Sequence, residues 1–361
     1  MIKKLLFTSI LFLSFDPIRA QVDSTQEEMV DFSQFDVVEP TGVKRFCTSK
    51  VLGLSPSKLI SVGYDFQGKH ELKNYLGNET YPLNGDSNQA AINNVSGIRI
   101  AANYPILSNT KWLINMGATY WRTNYNMGSH DGSNHVIHKL HENGLTTIGL
   151  NTTIFKPLNE KYFILAFASA DANGDYKLNS SDIGSYLAKP KISAAVFFGK
   201  KRSDYSILGF GLSRTYRPGA LGAIPLILFN HTFPSRKWGI ETLFPARFAL
   251  RRTINTRNLL FVGYELEGTS YSIGNMGGAA SIPRYDNLEL RRSELRPRIT
   301  YEFSLTGFVW LSVQAGYRIN YSFDIDQGDK LRLIGSDEKY HMVNTLTNPL
   351  YFQISLNLVS P

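Results

Sequence analysis

Two stretches carry residue types that bind metals. SHDGSNHVIHKLHENG, residues 129–144, contains His130, His135, His138 and His141, and the last three recur every third position. On a short helix closed by Gly144, neighbouring imidazoles stand about one turn apart, close enough to share Zn²⁺ or Cu²⁺. DANGDYKLNSSD, residues 171–182, sets Asp171, Asn173, Asp175, Asn179 and Asp182 at positions 1, 3, 5, 9 and 12 of a calcium loop. Against that chemistry, Tyr176 stands where such a loop needs Gly for its sharp turn, position 12 is Asp rather than a bidentate Glu, and no helical pattern flanks it. The plainer readings are a histidine-bearing surface loop and a solvated Asx-rich turn. No resident cofactor is therefore expected, with Zn²⁺ and Ca²⁺ confined to these two segments.

Covalent catalysis has less support. Ser129, His130 and Asp131 are consecutive, which points their side chains apart, whereas a triad is assembled in space. G-x-S-x-G, H-E-x-x-H and the phosphate-binding loop are all missing from the sequence. The expectation is that the chain is not an enzyme.

The elements that hold these segments have a period of two. In FVWLSVQAGYRINYSF, Val309, Leu311, Val313, Ala315, Tyr317, Ile319, Tyr321 and Phe323 share one parity against Ser312, Gln314, Gly316, Arg318, Asn320 and Ser322. A helix would mix the two classes on one face, so the segment reads as a strand. The same alternation recurs at residues 60–66, 98–104, 260–266, 299–305 and 350–358. Short polar turns near Asn109, Asn159, Arg202, Ser235, Asn255 and Thr306 alternate with longer connections, as in an antiparallel barrel with one end at the periplasm and the other outside the cell. A tight outer turn near Pro245 makes the count 14 strands, and without it the count is 12.

Fifteen alternating residues at ~3.3 Å each and ~40° tilt span the ~25 Å apolar band of an outer membrane. A soluble sandwich buries one face against a second sheet and does not need so long a run. Composition agrees. Hydrophobic residues make up 43% and charged residues 19%, with mean hydropathy −0.17. These values exclude a bundle of membrane helices but suit a barrel, whose lipid-facing and lumen-facing residues average out. Tyr104, Tyr120, Tyr317 and Phe323 fall near strand ends, where interfacial girdles are expected. The fold class is thus all-β, a transmembrane antiparallel up-and-down barrel in contact with outer-membrane lipid.

Lys3 and Lys4, the apolar run Leu5–Phe15 and the small residue at Ala20 read as a secretory signal peptide over residues 1–20, cleaved near Ala20. That segment carries Lys3, Lys4 and Arg19 against Asp16, so its removal lowers the formal charge from +8 to +6. No dense basic stripe is present, which argues against nucleic acid. Cys47 is the only cysteine, so no intrachain disulfide staples the fold. Residues 21–57 read as a periplasmic extension or a plug, and residues 58–361 as the barrel. The terminal strand is the kind that barrel-assembly machinery reads.

GFGLSRTYRPGALGAIPLILFNHTFPSRKWGIETLFPARFALRRTINTRNLLFVGYEL, with its R-P-G turn at Arg217–Gly219, its PSRKW turn and its F-P-A-R link, resembles an uncharacterised bacterial outer-membrane β-barrel family of the domain of unknown function 6268 type. YEFSLTGFVWLSVQAGYRINYSFDI is similar to the penultimate hairpin of that family. The resemblance implies the barrel and no activity.

Parity separates the lumen into two walls. Ser61, Gly63, Arg99, Asn103, Thr147, Gly149, Asn151, Thr153, Gly209, Gly211 and Ser213 form a smooth one. Glu241, Arg247, Arg251, Glu265, Glu267, Arg292, Glu294, Arg296, Arg298, Glu302 and Arg318 form a charged one. Such charges either pair across strands to hold the wall together or make a polar eyelet for small solutes. The expected role is passive or gated movement of a small solute through the lumen. The alternative is a closed barrel whose long outer loops bind a surface partner.

Overall fold

Where side chains alternate, the backbone is extended. The computed structural model describes residues 47–48, 51–76, 88–128, 135–180, 183–216, 221–274, 288–327, 340 and 342–360. The leader expected over 1–20, most of the extension expected over 21–57, and Ser129, His130, Asp131 and Asp182 lie outside the described residues.

In chain order the elements are β1 (Lys58–Gln67), β2 (His70–Leu76), β3 (Asn88–Ser108), β4 (Leu113–Met127), α1 (His135–Asn143), β5 (Leu145–Pro157), β6 (Tyr162–Gly174), α2 (Ile183–Leu187), β7 (Lys191–Ser203), β8 (Ser206–Thr215) and β9 (Gly222–Thr232). There follow β10 (Trp238–Phe244), β11 (Arg247–Asn255), β12 (Asn258–Ser272), β13 (Leu288–Ser304), β14 (Val309–Tyr317), β15 (Ile319–Gln327), β16 (Met342–Leu346) and β17 (Leu350–Val359).

Fourteen strands close a barrel. β1 pairs with β3, pairing continues strand by strand to β14, β14 pairs with β17, and β17 returns to β1. β2, β15 and β16 continue β1, β14 and β17 beyond interruptions at Gly68–Lys69, Arg318 and Thr347–Pro349. The turn at Pro245 does separate β10 from β11, which is why the count is 14.

Along β17 the expected faces hold. Leu350 is 72% exposed, and Phe352, Ile354 and Leu356 are exposed beside it, while Tyr351, Ser355 and Asn357 are buried inside. Trp112, Phe233, Trp238 and Phe308 are exposed next to the short turns, and Tyr104 is 73% exposed in the same band, as an interfacial girdle requires. Phe323 departs from the expectation. It is buried inside the barrel against the Tyr125 ring, with centroids 6.4 Å apart. The cause is a bulge. β13 pairs Ser293 with Ser322 but Glu294 with Asn320, so Tyr321 is an extra residue that reverses the parity beyond it.

That reversal belongs to a wider inversion. At the long-loop end the inward positions are apolar: Leu72, Val95, Tyr125, Tyr271, Leu290 and Phe323 are all buried in one cluster that also takes Leu140 of α1. Positions of the opposite parity there are polar, Asn124 being exposed and Glu289, Arg291 and Asp326 buried in ion pairs. In the middle of the barrel the wall is apolar outside and polar inside. Water outside and lipid outside demand opposite patterns, so the switch marks where the wall leaves the bilayer.

The emergent part is narrower. β12 meets β6 in a parallel bridge between Ser272 and Gly174, reinforced by Asn173 Nδ2 donating to Thr269 Oγ1 at 3.0 Å. The bridge closes a ring of nine strands (β12, β13, β15, β16, β2, β3, β4, β5 and β6). A ring near eight strands is filled by its own side chains, and the apolar cluster fills this one. Each large side chain so buried is worth ~1.5–3 kcal/mol. Strands β7 to β11 stop short of this ring. Below the bridge, with β6 and β12, they bound a second lobe of seven strands.

At the short-turn end of that lobe the inner wall is apolar, with Phe155, Phe163, Phe197, Ile207, Leu226 and Leu228 buried together. Gly199 lets the Phe163 ring lie flat on β7, since a methyl group there would overlap the ring.

Candidate functional site

A charge cluster lies inside the barrel, just beneath the apolar fill of the nine-stranded ring. Asp65 of β1 accepts two bonds from Arg318 Nη2 at 2.7 and 2.6 Å and lies 3.5 Å from Arg99. Glu267 of β12 accepts Arg99 at 2.9 and 3.0 Å and also Arg296. Glu294 of β13 takes Arg292 at 2.9 Å, Arg318 at 3.3 Å, and Arg296. Four guanidinium groups thus face three carboxylates, and the Arg99 guanidinium sits 3.7 Å over the Trp121 ring. Buried charges persist only when paired and hydrogen-bonded. With every carboxylate held by at least two arginines, the cluster is a strut that ties β12 and β13 to β1 and β3.

Open space lies to one side, between the seven-stranded lobe and the strands that flank it. An upper cavity of about 340 Å³ is lined from β3 to β8 and by Glu265, Glu267 and Thr269 of β12. A lower cavity of about 460 Å³ is lined by Glu241, Arg247, Arg298, Glu302 and residues 54–58. The ion pair of Arg298 with Glu265 stands where the two meet, each side chain 25% exposed. It is a wetter pair than any in the cluster.

The chain preceding β1 crosses the mouth at the short-turn end. The Cys47 amide donates to Asn159 O at 3.0 Å and the Leu52 amide to Asp204 O at 2.8 Å. Cys47 and Val51 are buried on the apolar inner wall. Gly53, with φ +78°, turns the chain beside Thr232 and Arg251 in the left-handed conformation that glycine tolerates. Ser55 then donates to Glu241 from its amide at 3.2 Å and its hydroxyl at 2.9 Å. Lys58 reaches Glu302 at 2.6 Å.

A family described as Domain of unknown function (DUF6268) matches residues 60–358. The chain belongs to that family. Solved outer-membrane barrels share its architecture at low identity. An outer membrane channel from Pseudomonas putida F1 is 12% identical, covering 84% of this chain and 96% of that one at TM-score 0.35. The Pseudomonas putida toluene transporter TodX is 7% identical, covering 87% and 95% at TM-score 0.35. A Pseudomonas aeruginosa FadL homologue is 10% identical, covering 84% and 90% at TM-score 0.36. No curated protein matches. The chain is an outer-membrane β-barrel of a family without an assigned function.

The eleven charged residues of the second wall all lie on the barrel interior, but they do different things. Glu267, Arg292, Glu294, Arg296 and Arg318 belong to the strut, and Arg298, Glu265, Arg247, Glu241 and Glu302 border the cavities. Arg251 does neither. It is fully buried over Gly239, with Nη2 donating to Thr232 Oγ1 at 2.9 Å and Nη1 3.5 Å from Glu241. Asp65 and Lys58 escaped the sequence reading. β1 alternates clearly, but only the register of β17 and β14 reveals that Asp65 reaches Arg318.

The histidine segment forms the expected short helix, whereas the calcium-loop spacing falls partly on a strand. α1 forms over His135–Asn143 and ends at Gly144, whose φ is +65°. His138 Nε2 turns to Glu142 at 3.3 Å, whereas His141 Nδ1 lies 3.3 Å from Tyr125 O on β4, so these two rings do not converge. Asp171 and Asn173 are ladder residues of β6, paired with Gly149 and Thr147, and not part of a loop. Tyr176 is buried, donating to Ala172 O at 2.8 Å, and burial pushes its hydroxyl up to about 12. Asp175 accepts the Tyr186 hydroxyl at 2.7 Å and the Gly274 amide at 2.8 Å. Among the described residues no three His, Cys, Asp or Glu side chains are grouped to hold a metal.

Proposed function

We propose that the protein is a channel for small hydrophilic solutes whose path runs off the barrel axis, through the seven-stranded lobe. The observation that carries this reading is the pair of cavities, each bearing polar and charged side chains, that meet at Arg298 and Glu265. A solute entering at the mouth passes residues 54–58, crosses the Arg298–Glu265 pair, and leaves beside Thr215 and Tyr216. The strut and the apolar ring keep the other half shut, so the path is narrow and selective. Partly hydrated pairs are cheaper to part than fully buried ones, which suits Arg298 and Glu265 to a constriction that yields to a passing solute. Polar lining and fixed charges set selectivity by the same rules as other pores.

The test is single-channel recording in planar bilayers. The native protein is expected to give discrete conductance steps, and Arg298→Ala or Glu265→Ala to enlarge them and shift ion preference in opposite directions. A bilayer that stays silent at high protein dose overturns the channel and favours a closed barrel that presents its outer loops to a surface partner.

A further inference from the structure

We infer that the upper cavity is a binding subsite for an uncharged polyhydroxylated solute of sugar type, an inference that rests on reading the lobe as a passage. Its inner surface is a grid set by strand register. Asn151 of β5, Ser169 of β6 and Ser193 of β7 lie opposite one another in one row, and Gly149, Asp171 and Lys191 in the next. Thr147 faces Asn173 beyond them, while Phe167 follows Ser169 on the side toward the mouth.

Each part suits hydroxyl groups. Ser, Thr and Asn side chains both donate and accept hydrogen bonds, as a sugar hydroxyl does. Charges at this level are matched within the protein: Glu267 by Arg99, Glu265 by Arg298, and Lys191 by Glu289. An ionic solute would have to disrupt such pairs, whereas a neutral one can bond to their remaining lone pairs and N–H groups. Asp171 is pinned by Ser169 Oγ at 2.9 Å and lies over Gly149, where a methyl group would overlap it. It is a fixed acceptor.

Phe167 supplies the apolar component. It points inward yet stays 36% exposed, an aromatic face presented to a cavity that Trp121 and Tyr216 also line beside the polar row. A sugar ring has polar edges and an apolar C–H face, and the cavity provides for both. At about 340 Å³ it lies at the small end of ligand sites, sized for one or two sugar units.

The test is calorimetric titration of the full-length protein in detergent with sucrose, maltose and, as a charged probe, choline. The native protein is expected to bind a disaccharide saturably and choline not at all. Phe167→Ala and Asp171→Asn should each raise the half-saturating concentration about tenfold or more, as for one lost contact of this kind, with heat-modifiable gel mobility reporting that each variant still folds. Absence of saturable sugar binding, or equal binding of choline, overturns the subsite even where bilayers show conductance. Sugar binding in a protein that is silent in bilayers upholds the subsite and overturns the channel.

Discussion

Arg318 grips Asp65 across an intervening strand, with Nη2 2.7 and 2.6 Å from the two carboxylate oxygens and both side chains buried. Arg318 stands at the interruption between β14 and β15, and Asp65 three residues before the one between β1 and β2. The pair thus ties together the strands whose backbone ladders break. Removing the carboxylate in Asp65→Ala leaves a buried guanidinium undercompensated, and breaking such a pair costs ~3–5 kcal/mol. The expected result is a lower temperature for the heat-modifiable gel shift. Asp65→Ala with Arg318→Met should recover most of the loss, because an apolar pair of similar volume avoids the stranded charge. A double variant no more stable than the single one would remove the strut from the account.

Glycine placement leads to a second expectation. Gly199→Ala drives a methyl group into the Phe163 ring, which stacks on Phe155 with centroids 5.0 Å apart. Overpacking of this kind costs ~1–3 kcal/mol. Gly307 has open space around it, so Gly307→Ala should leave stability within ~0.5 kcal/mol of the native protein. Urea unfolding from detergent micelles compares the two, and equal effects would contradict the flat packing of Phe163.

Much of this wall could be read from residue parity. Leu350, Phe352 and Ile354 announce a lipid face because water never meets their side of β17, and Pro245 marks a turn that the alternation of long and short connections demands. Phe323 shows where the reading fails. Ile319, Tyr321, Phe323 and Ile325 alternate without a flaw, yet β15 itself bulges at Tyr321 against β13 and carries the later residues inward. Register belongs to a pair of strands and cannot be seen in one of them. The bridge between Ser272 and Gly174 was hidden for the same reason, and with it the division of the lumen into a filled ring and an open lobe. The eleven charges were legible as interior, but which carboxylate each arginine meets was not.

Arg251 carries a third expectation. Its guanidinium is shut between Gly239, Thr232 and the turn at Gly53, within reach of Glu241, so its work is to hold the mouth segment. Arg251→Ala should make residues 51–57 susceptible to added protease in intact barrels. Arg298→Ala, which touches the constriction instead, should leave that segment as resistant as in the native protein. Limited proteolysis followed by mass spectrometry of the released N-terminal fragment separates the two, and equal susceptibility would mean that Arg251 does not anchor the segment.

Cys47 offers a chemical clock for the same segment. Its thiol is buried on the apolar inner wall, and burial raises its pKa above the ordinary value, with the nearby Lys201 pulling the other way by a smaller amount. The thiolate is the reactive form, so at neutral pH alkylation of the native protein should be slow, and should accelerate only at a higher pH than an exposed thiol requires. When the segment detaches, exposure and a falling pKa act in one direction. Arg251→Ala and Glu241→Ala should therefore both speed modification at pH 7. The measurement is the rate of mass gain with iodoacetamide. A native rate already equal to that of the unfolded chain would show that Cys47 does not rest against Phe155 and Phe163, and that the mouth stands open.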